Sequence, residues 1–266
     1  MRRSVDIVVI SDVHLGTPAC RAEELLAYLK SIWPGRLVLN GDIIDMQQFR
    51  RGFWPDTHTK VVRRILKFAA GGVPVFYVTG NHEGALRRYS NSGFDFGRIQ
   101  LVDRLEWDLD GQRTLLFHGD ACDRSIDRIA WIAAIGSWAY DRVEQFGNQL
   151  NRVRRWFGAR PISLTNRVKR RIVQATTYIA RFEQACAAYA VRARCDTVVC
   201  GHIHQPAHRT IAVGAERPTY LNSGDWVENC SALEYHRGAW NLISYDDLAV
   251  RGLVIEGHVE ETRAVV

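Results

Sequence analysis

Apolar residues along this chain gather in short runs, and five of those runs end in the same kind of polar cluster. In the first, "VDIVVISDVHLG" (5–16), residues 5–10 form a near-continuous Val and Ile run, the pattern of a strand buried on both faces, and it leads directly into Asp12 and His14. The pattern returns in "RLVLNGDIID" (36–45), which reaches Gly41-Asp42 with Asp45 three residues on, and in "VPVFYVTGNHE" (73–83), which ends in Gly80-Asn81-His82-Glu83. "RTLLFHGD" (113–120) closes on His118-Gly119-Asp120, and "DTVVCGHIH" (196–204) on Gly201-His202 and His204. Helix-like segments, "RAEELLAYLKSIW" (21–33) and "TKVVRRILKFAAGG" (59–72), separate the first three runs. Strand and helix alternate, which predicts βαβ units and a sheet with a parallel portion. In such sheets functional groups gather at the carboxyl ends of the strands, and all five clusters fall there.

Two further segments complete the pattern. The tail "PTYLNSGDWVENCSALEYHRGAWNLISYDD" (218–247) predicts more strands, including a hairpin that turns at Arg237-Gly238. Residues 124–194 read as helical, with a break at "GARPIS" (158–163) and Thr165 as N-cap of the second helix. This segment carries thirteen arginines and Lys169 against Asp127, Asp141, Glu144 and Glu183, a surplus of ten positive charges in a chain whose net charge is +6. The rest of the chain is therefore net acidic, and the basic segment points to an anionic partner.

The length, 266 residues, suits one domain over 1–266 with 124–194 inserted into it as a helical lid. An apolar content of 47% is ample for a core. The longest charge-free apolar run, "IAWIAAIGSWAY" (129–140), falls well short of the roughly 20 residues that span a bilayer. No signal-peptide pattern opens the chain, and six scattered cysteines without a CxxC pair suit reduced thiols. These features predict a cytoplasmic location, at most peripheral on the inner face of the cytoplasmic membrane.

Five of the nine histidines, His14, His82, His118, His202 and His204, lie in the strand-end clusters with Asp12, Asp42 and the amide of Asn81. A single buried His or a single Gly-Asp is ordinarily structural, but five such clusters at equivalent strand ends are not explained that way. A mixed nitrogen and oxygen set suits Mn, Fe, Zn, Co or Ni better than Ca or Mg alone. It also holds more ligands than one ion uses, so two divalent ions are expected, and they repay the desolvation of the polar groups. His58, His208, His236 and His258 are expected to be exposed or structural.

The ordered motifs D-x-H, G-D-x-x-D, G-N-H-E, H-G-D and G-H-x-H, spanning residues 12–204, resemble the calcineurin-like metallophosphoesterase superfamily. The resemblance implies a four-layer α/β/β/α sandwich in the α/β class and a dinuclear centre. Asp12, His14, Asp42 and His204 would hold one metal; Asp42 would bridge to the second, completed by Asn81, His118 and His202. His82 would stabilise the transition state or protonate the leaving oxygen, and Asp45 would orient a neighbouring imidazole. The lead "SDVHLG" and the closing "NSGDW" are most similar to the UDP-2,3-diacylglucosamine diphosphatases of the lipid A pathway. That family cleaves a sugar-nucleotide pyrophosphate to UMP and an acylated sugar 1-phosphate, with Mn²⁺ the foremost candidate metal. One departure stands out: the best-known branch carries Arg-Asp after Gly-Asn, where this chain has His82-Glu83. The enzyme alternative is a nuclease or cyclic-nucleotide phosphodiesterase on the same metal core, and the non-enzyme alternative is a scaffold that has lost ligands, of which none is missing here.

The basic insertion admits three readings. As a lid, its arginines would meet a phosphorylated lipid-sugar nucleotide or an anionic membrane surface, while Trp131, Ile132 and Trp138 would meet acyl chains. As a plain helical hairpin it would pack on its own apolar faces behind a solvated basic exterior. Nucleic-acid binding ranks below the lipid reading, because the run at 129–140 is too apolar for an exposed groove wall. The oligomeric state has no signature in the sequence.

Overall fold

Strand β1 (Arg3–Ile10) lies between two apolar layers, and its side chains alternate between them. Val8 and Ile10 join Leu25, Leu29, Val61 and Phe68, which come from two helices; Ile7 and Val9 join Leu116, Val199 and Leu221, which come from a second sheet. With both faces apolar, the strand reads as an unbroken Val/Ile run. The computed structural model describes residues 2–46, 52–90, 95–123 and 164–254, with side chains placed except at 95, 96 and 164–174.

After β1 come α1 (Ala22–Ser31), β2 (Ile32–Asn40), α2 (Asp56–Ala70), β3 (Val75–Val78), β4 (Asp95–Phe96), β5 (Ile99–Val102), β6 (Arg104–Leu109) and β7 (Gln112–Phe117). The chain continues through α3 (Leu164–Arg192), β8 (Thr197–Cys200), β9 (Ala207–Thr210), β10 (Thr219–Asn222), β11 (Ser231–His236), β12 (Ala239–Ser244) and α4 (Tyr245–Val250). The first sheet has the order β12-β11-β1-β2-β3-β5-β4, and the second β6-β7-β8-β10-β9. The pairs β1–β2, β2–β3, β3–β5, β7–β8 and β8–β10 are parallel, as the strand–helix alternation predicted for the first three strands. Helices α1, α2 and α4 cover the outer face of the first sheet.

The chain divides into two compact units, residues 1–120 with 186–266, and residues 121–185. The last turns of α3 belong to the first unit, where Tyr189 meets Phe117 of β7 edge to face with ring centroids 5.2 Å apart. Helix, sheet, sheet and helix are thus all present, as the four-layer expectation required. In the second unit the Tyr178 hydroxyl donates to Asp123 Oδ1 at 2.8 Å. Residues 124–163, with Trp131, Ile132 and Trp138, lie outside the described residues.

Three boundaries differ from the sequence pattern. Ile32 and Trp33, expected to end the first helix, open β2 instead: Ile32 pairs with Arg3, and Pro34 favours extended backbone at Trp33. Helix α2 starts at Asp56, earlier than the apolar spacing suggests, because Pro55 supplies the extended residue before it. Helix α3 already includes Leu164, so Thr165 lies inside its first turn rather than capping it, a shift within the usual spread of helix ends. The hairpin β11–β12 turns as expected, with Arg237 and Gly238 both left-handed at φ 54° and 80°.

The inter-sheet layer gives a direct stability test. Leu116 is fully buried there, so Leu116→Ala should lower unfolding free energy by about 2–5 kcal/mol. Leu66→Ala, on a residue 50% exposed, should stay within about 0.5 kcal/mol; urea titration of both variants reads the contrast.

Candidate metal centre

The ends of β1, β2 and β3 from the first sheet, and of β7 and β8 from the second, deliver the polar side chains to one edge of the sandwich. Beyond the strands the backbone ladder continues for a few residues: Asp12 N–H donates to Gly41 C=O at 3.0 Å, and His14 N–H to Asp42 C=O at 2.9 Å. Asp12, His14, Asp42, His202 and His204 all adopt left-handed backbone, with φ between 50° and 70°. Such conformations are uncommon outside glycine and cluster at functional sites. Two glycines make room for the carboxylates: a Cβ on Gly80 would overlap Asp42 Oδ1, and one on Gly201 would overlap Asp12 Oδ2.

Among the described residues three groups of side chains stand close enough to hold an ion: Asp12, His14 and His204; Asp42, His118 and His202; and His14, Asp45 and His82, which shares His14 with the first. In the first, Asp12, His14 and His204 bring their donor atoms within 4.8 Å of one another; His204 Nε2 lies 3.3 Å from both Asp12 Oδ1 and His14 Nε2. In the second, Asp42, His118 and His202 do the same, with His118 Nε2 at 3.3 Å from Asp42 Oδ2 and 3.2 Å from Asn81 Oδ1. His82 lies beside the second group, Nε2 at 3.9 Å from Asp42 Oδ2. Asp45 Oδ2 stands 3.2 Å from His82 Nδ1 and 3.5 Å from His14 Nδ1, facing both imidazoles. All eight expected residues of the centre are therefore brought together. Of the other histidines, His58 is buried and accepts the Gly16 N–H at 3.0 Å, and His208 is exposed. His236 lies 3.1 Å from Asp6 Oδ2 at the surface, and His258 is outside the described residues.

Charge in this cluster is closely balanced. Burial drives the His118 pKa down, but the carboxylates of Asp42 and Asp12 more than reverse it and lift it to about 10. Burial and then Asp12 act on His204 in the same way, to about 9. Burial pushes Asp12 and Asp42 up, yet His204 and His118 hold them below the ordinary carboxylate range. Protons on two imidazoles thus balance two buried carboxylates, and a divalent cation can do so in their place. Asp12 Oδ1 is buried with only the His204 imidazole facing it at 3.3 Å, so a cation at that point would take the place of the imidazole proton. The donor set fits the borderline metals.

Sequence reasoning missed what Glu83 does. Its carboxylate is fully buried and accepts the backbone N–H groups of Asp42, Ile43, Ile44 and Gly80 and the hydroxyl of Tyr77, at 2.6 to 3.0 Å. One side chain thereby ties the loop after β2 to the loop after β3. Burial and the nearby Asp42 raise its pKa, against which the Tyr77 hydroxyl and the Ile44 and Gly80 N–H groups act. Arg87, equally unforeseen, donates to both oxygens of Asp120 at 2.7 and 3.0 Å and to Thr79 C=O at 2.9 Å. The only signal for Glu83 was its position next to His82; nothing in the sequence singled out Arg87.

The sequence model of the calcineurin-like phosphoesterase family matches residues 5–206, and the chain belongs to that family. It is an enzyme of the phosphoesterase class, for which divalent metals are implied. A UDP-2,3-diacylglucosamine hydrolase of Xanthomonas campestris is 31% identical over 244 residues, 84% of this chain and 92% of the relative. One from Stenotrophomonas maltophilia is 28% identical over 255 residues, 88% and 96% of the two chains. Among solved structures, a dimetal phosphatase from Danio rerio is similar with a TM-score of 0.42 and 13% identity, covering 90% of this chain and 95% of the other.

Two outcomes follow for the centre. His118 is raised from 6.5 to about 10 and His204 to about 9, so the stability these pairs give the metal-free protein is complete below about pH 6.5 and lost as pH climbs towards 9 to 10. A divalent cation held by these residues would displace the same protons, so the affinity for an added divalent cation should rise across that window; calorimetry in buffers of different ionisation enthalpy counts the protons released. Glu83→Ala strands four N–H groups, three of them buried, and should cost upwards of about 3 kcal/mol, each buried orphan being worth about 1–3 kcal/mol. Glu83→Asp should recover part of that loss in a thermal melt.

Proposed function

We propose that this phosphoesterase holds two divalent cations, Mn²⁺ foremost, and cleaves the pyrophosphate of a UDP-diacylglucosamine-type substrate to UMP and an acylated sugar 1-phosphate. The observation that supports it most is a full set of Asp, His and Asn donors in two adjacent groups, in a chain aligned over 84% of its length with a relative named for that substrate. Asp12, His14 and His204 would hold one cation, and Asn81, His118 and His202 the other, with Asp42 shared between them. When bound, the cations lower the pKa of a water towards about 7 and neutralise charge building on the phosphoryl oxygens. His82, which follows Asn81 and is partly exposed, faces the substrate side and supplies a proton donor to the phosphoryl or leaving oxygen. Asp45 keeps that ring in place from its Nδ1 side.

The basic insertion completes the reading as a lid over the lipid part of the substrate, with Trp131, Ile132 and Trp138 against acyl chains. Each buried methylene is worth about 0.8 kcal/mol, so part of one chain would add several kcal/mol of binding. Its arginines suit the anionic inner face of a membrane, and no helix among the described residues is long and apolar enough to cross one.

The deciding experiment is incubation with UDP-2,3-diacylglucosamine and Mn²⁺, with products read by mass spectrometry: UMP and the sugar 1-phosphate support the proposal, and their absence alongside cleavage of an oligonucleotide or cyclic nucleotide would hand the site to that alternative. Asp42→Ala should abolish turnover and leave well under two ions per chain by elemental analysis. His82→Ala should keep both ions and lose about 10²–10⁴ in rate. Polar substitutions at Trp131, Ile132 and Trp138 should slow the acylated substrate alone and spare a small artificial phosphodiester.

A further inference from the structure

The segment Asn222–Asn229, "NSGDWVEN", leaves β10 and wraps around one part of the centre. Ser223 Oγ and Ser11 Oγ share a hydrogen bond at 2.7 Å, Ser11 Oγ donates to Gly224 C=O at 3.0 Å, and Trp226 N–H donates to Asp12 C=O at 3.1 Å. The residue before Asp12 and Asp12 itself are thereby held from behind. Asp225, fully buried, turns the segment back on itself: its Oδ1 accepts the N–H groups of Val227, Glu228 and Asn229, and its Oδ2 accepts the Asn229 side-chain amide. The same Asn229 Nδ2 donates its other proton to the backbone carbonyl of His204 at 2.9 Å.

His204 is one of the left-handed residues, with φ 53°. A histidine relaxes out of that region unless its peptide groups are held, and a small backbone rotation carries the ring well away from Asp12 and His14. The amide of Asn229 has no proton to spare: one is fixed by Asp225, and the other fixes His204. Glu83, by contrast, takes its hydrogen bonds from Asp42, Ile43, Ile44 and Gly80, around the second group.

The geometry assigns Asn229, oriented by Asp225, as a positioning residue for His204, so that its loss weakens one of the two bound cations and leaves the other in place. This rests on the two-cation reading above. Removal of a group that orients a metal ligand typically lowers metal affinity by about 10–100-fold.

The test is a Mn²⁺ titration of the chelator-treated full chain, followed by calorimetry and by elemental analysis after dialysis. Wild type should take up two ions. Asn229→Ala should keep one ion at an affinity within about threefold of wild type and bind the other about 10–100-fold more weakly. Asn229→Leu keeps much of the side-chain volume but offers no N–H and adds no charge beside Asp225, so it should share the defect; wild-type binding by Asn229→Leu would make the role one of packing and overturn the assignment. Equal weakening of both ions, with wild type still binding two, would overturn it as well while leaving the two-cation reading intact. A wild-type stoichiometry of one would overturn that reading and the assignment with it. Melting of the metal-free variants within a few degrees of wild type separates the local effect from unfolding; should Asn229→Ala fail to fold, Asn229→Leu carries the comparison.

Discussion

Two carboxylates, Asp12 and Asp42, sit at the ends of neighbouring parallel strands where water scarcely reaches them. A bare pair of buried negative charges would be expelled or protonated, so everything around them answers to that demand. Histidines from the second sheet, His118, His202 and His204, approach from the opposite side, and the two sheets must meet face to face to bring them there. The apolar layer of Val9, Leu116, Val199 and Leu221 therefore also sets how far Asp12 stands from His204.

The cost of such closeness appears in the backbone. Five residues of the centre are left-handed, and each is restrained by neighbours: Asp12 and His14 by the loop after β2, Asp42 by Glu83, His202 by Asp12 and His204 by Asn229. Glu83 performs the complementary task, gathering four N–H groups that have no strand partner, three of which would otherwise stand orphaned in the interior. A buried acid here functions as an acceptor for backbone rather than as a reagent.

Much of this was legible in the order of the residues. Alternation of Val/Ile runs with amphipathic segments predicted β1, α1, β2, α2 and β3, and the strand-end clusters named all eight polar residues now found together. The reason is local: a strand buried on both faces must be apolar throughout, so the first polar residue after it marks the edge. Less visible was whatever depends on contacts distant in sequence. Ile32 left its helix because Arg3 was available to pair with it. Glu83 and Asn229 look like ordinary loop residues until the groups they serve, Asp42 and His204, are placed beside them. The left-handed backbone at histidines and aspartates is only weakly signalled, since those types enter that region more readily than other side chains without requiring it.

The first sheet is not laid down in chain order. Strand β1 lies between β2 and β11, and Ile7 is paired with Tyr235. Its central position is thus filled on one side almost as soon as it is made, and on the other only after more than two hundred further residues. A growing chain would carry a half-paired β1 for most of its synthesis, with Val8 and Val9 presenting an open strand edge to any passing segment. Folding of this kind, dominated by distant pairings, is slow and exposed to misassembly. The centre is correspondingly late to assemble: no shortened version of the chain that stops before β11 has both neighbours of the strand that carries Asp12 and His14.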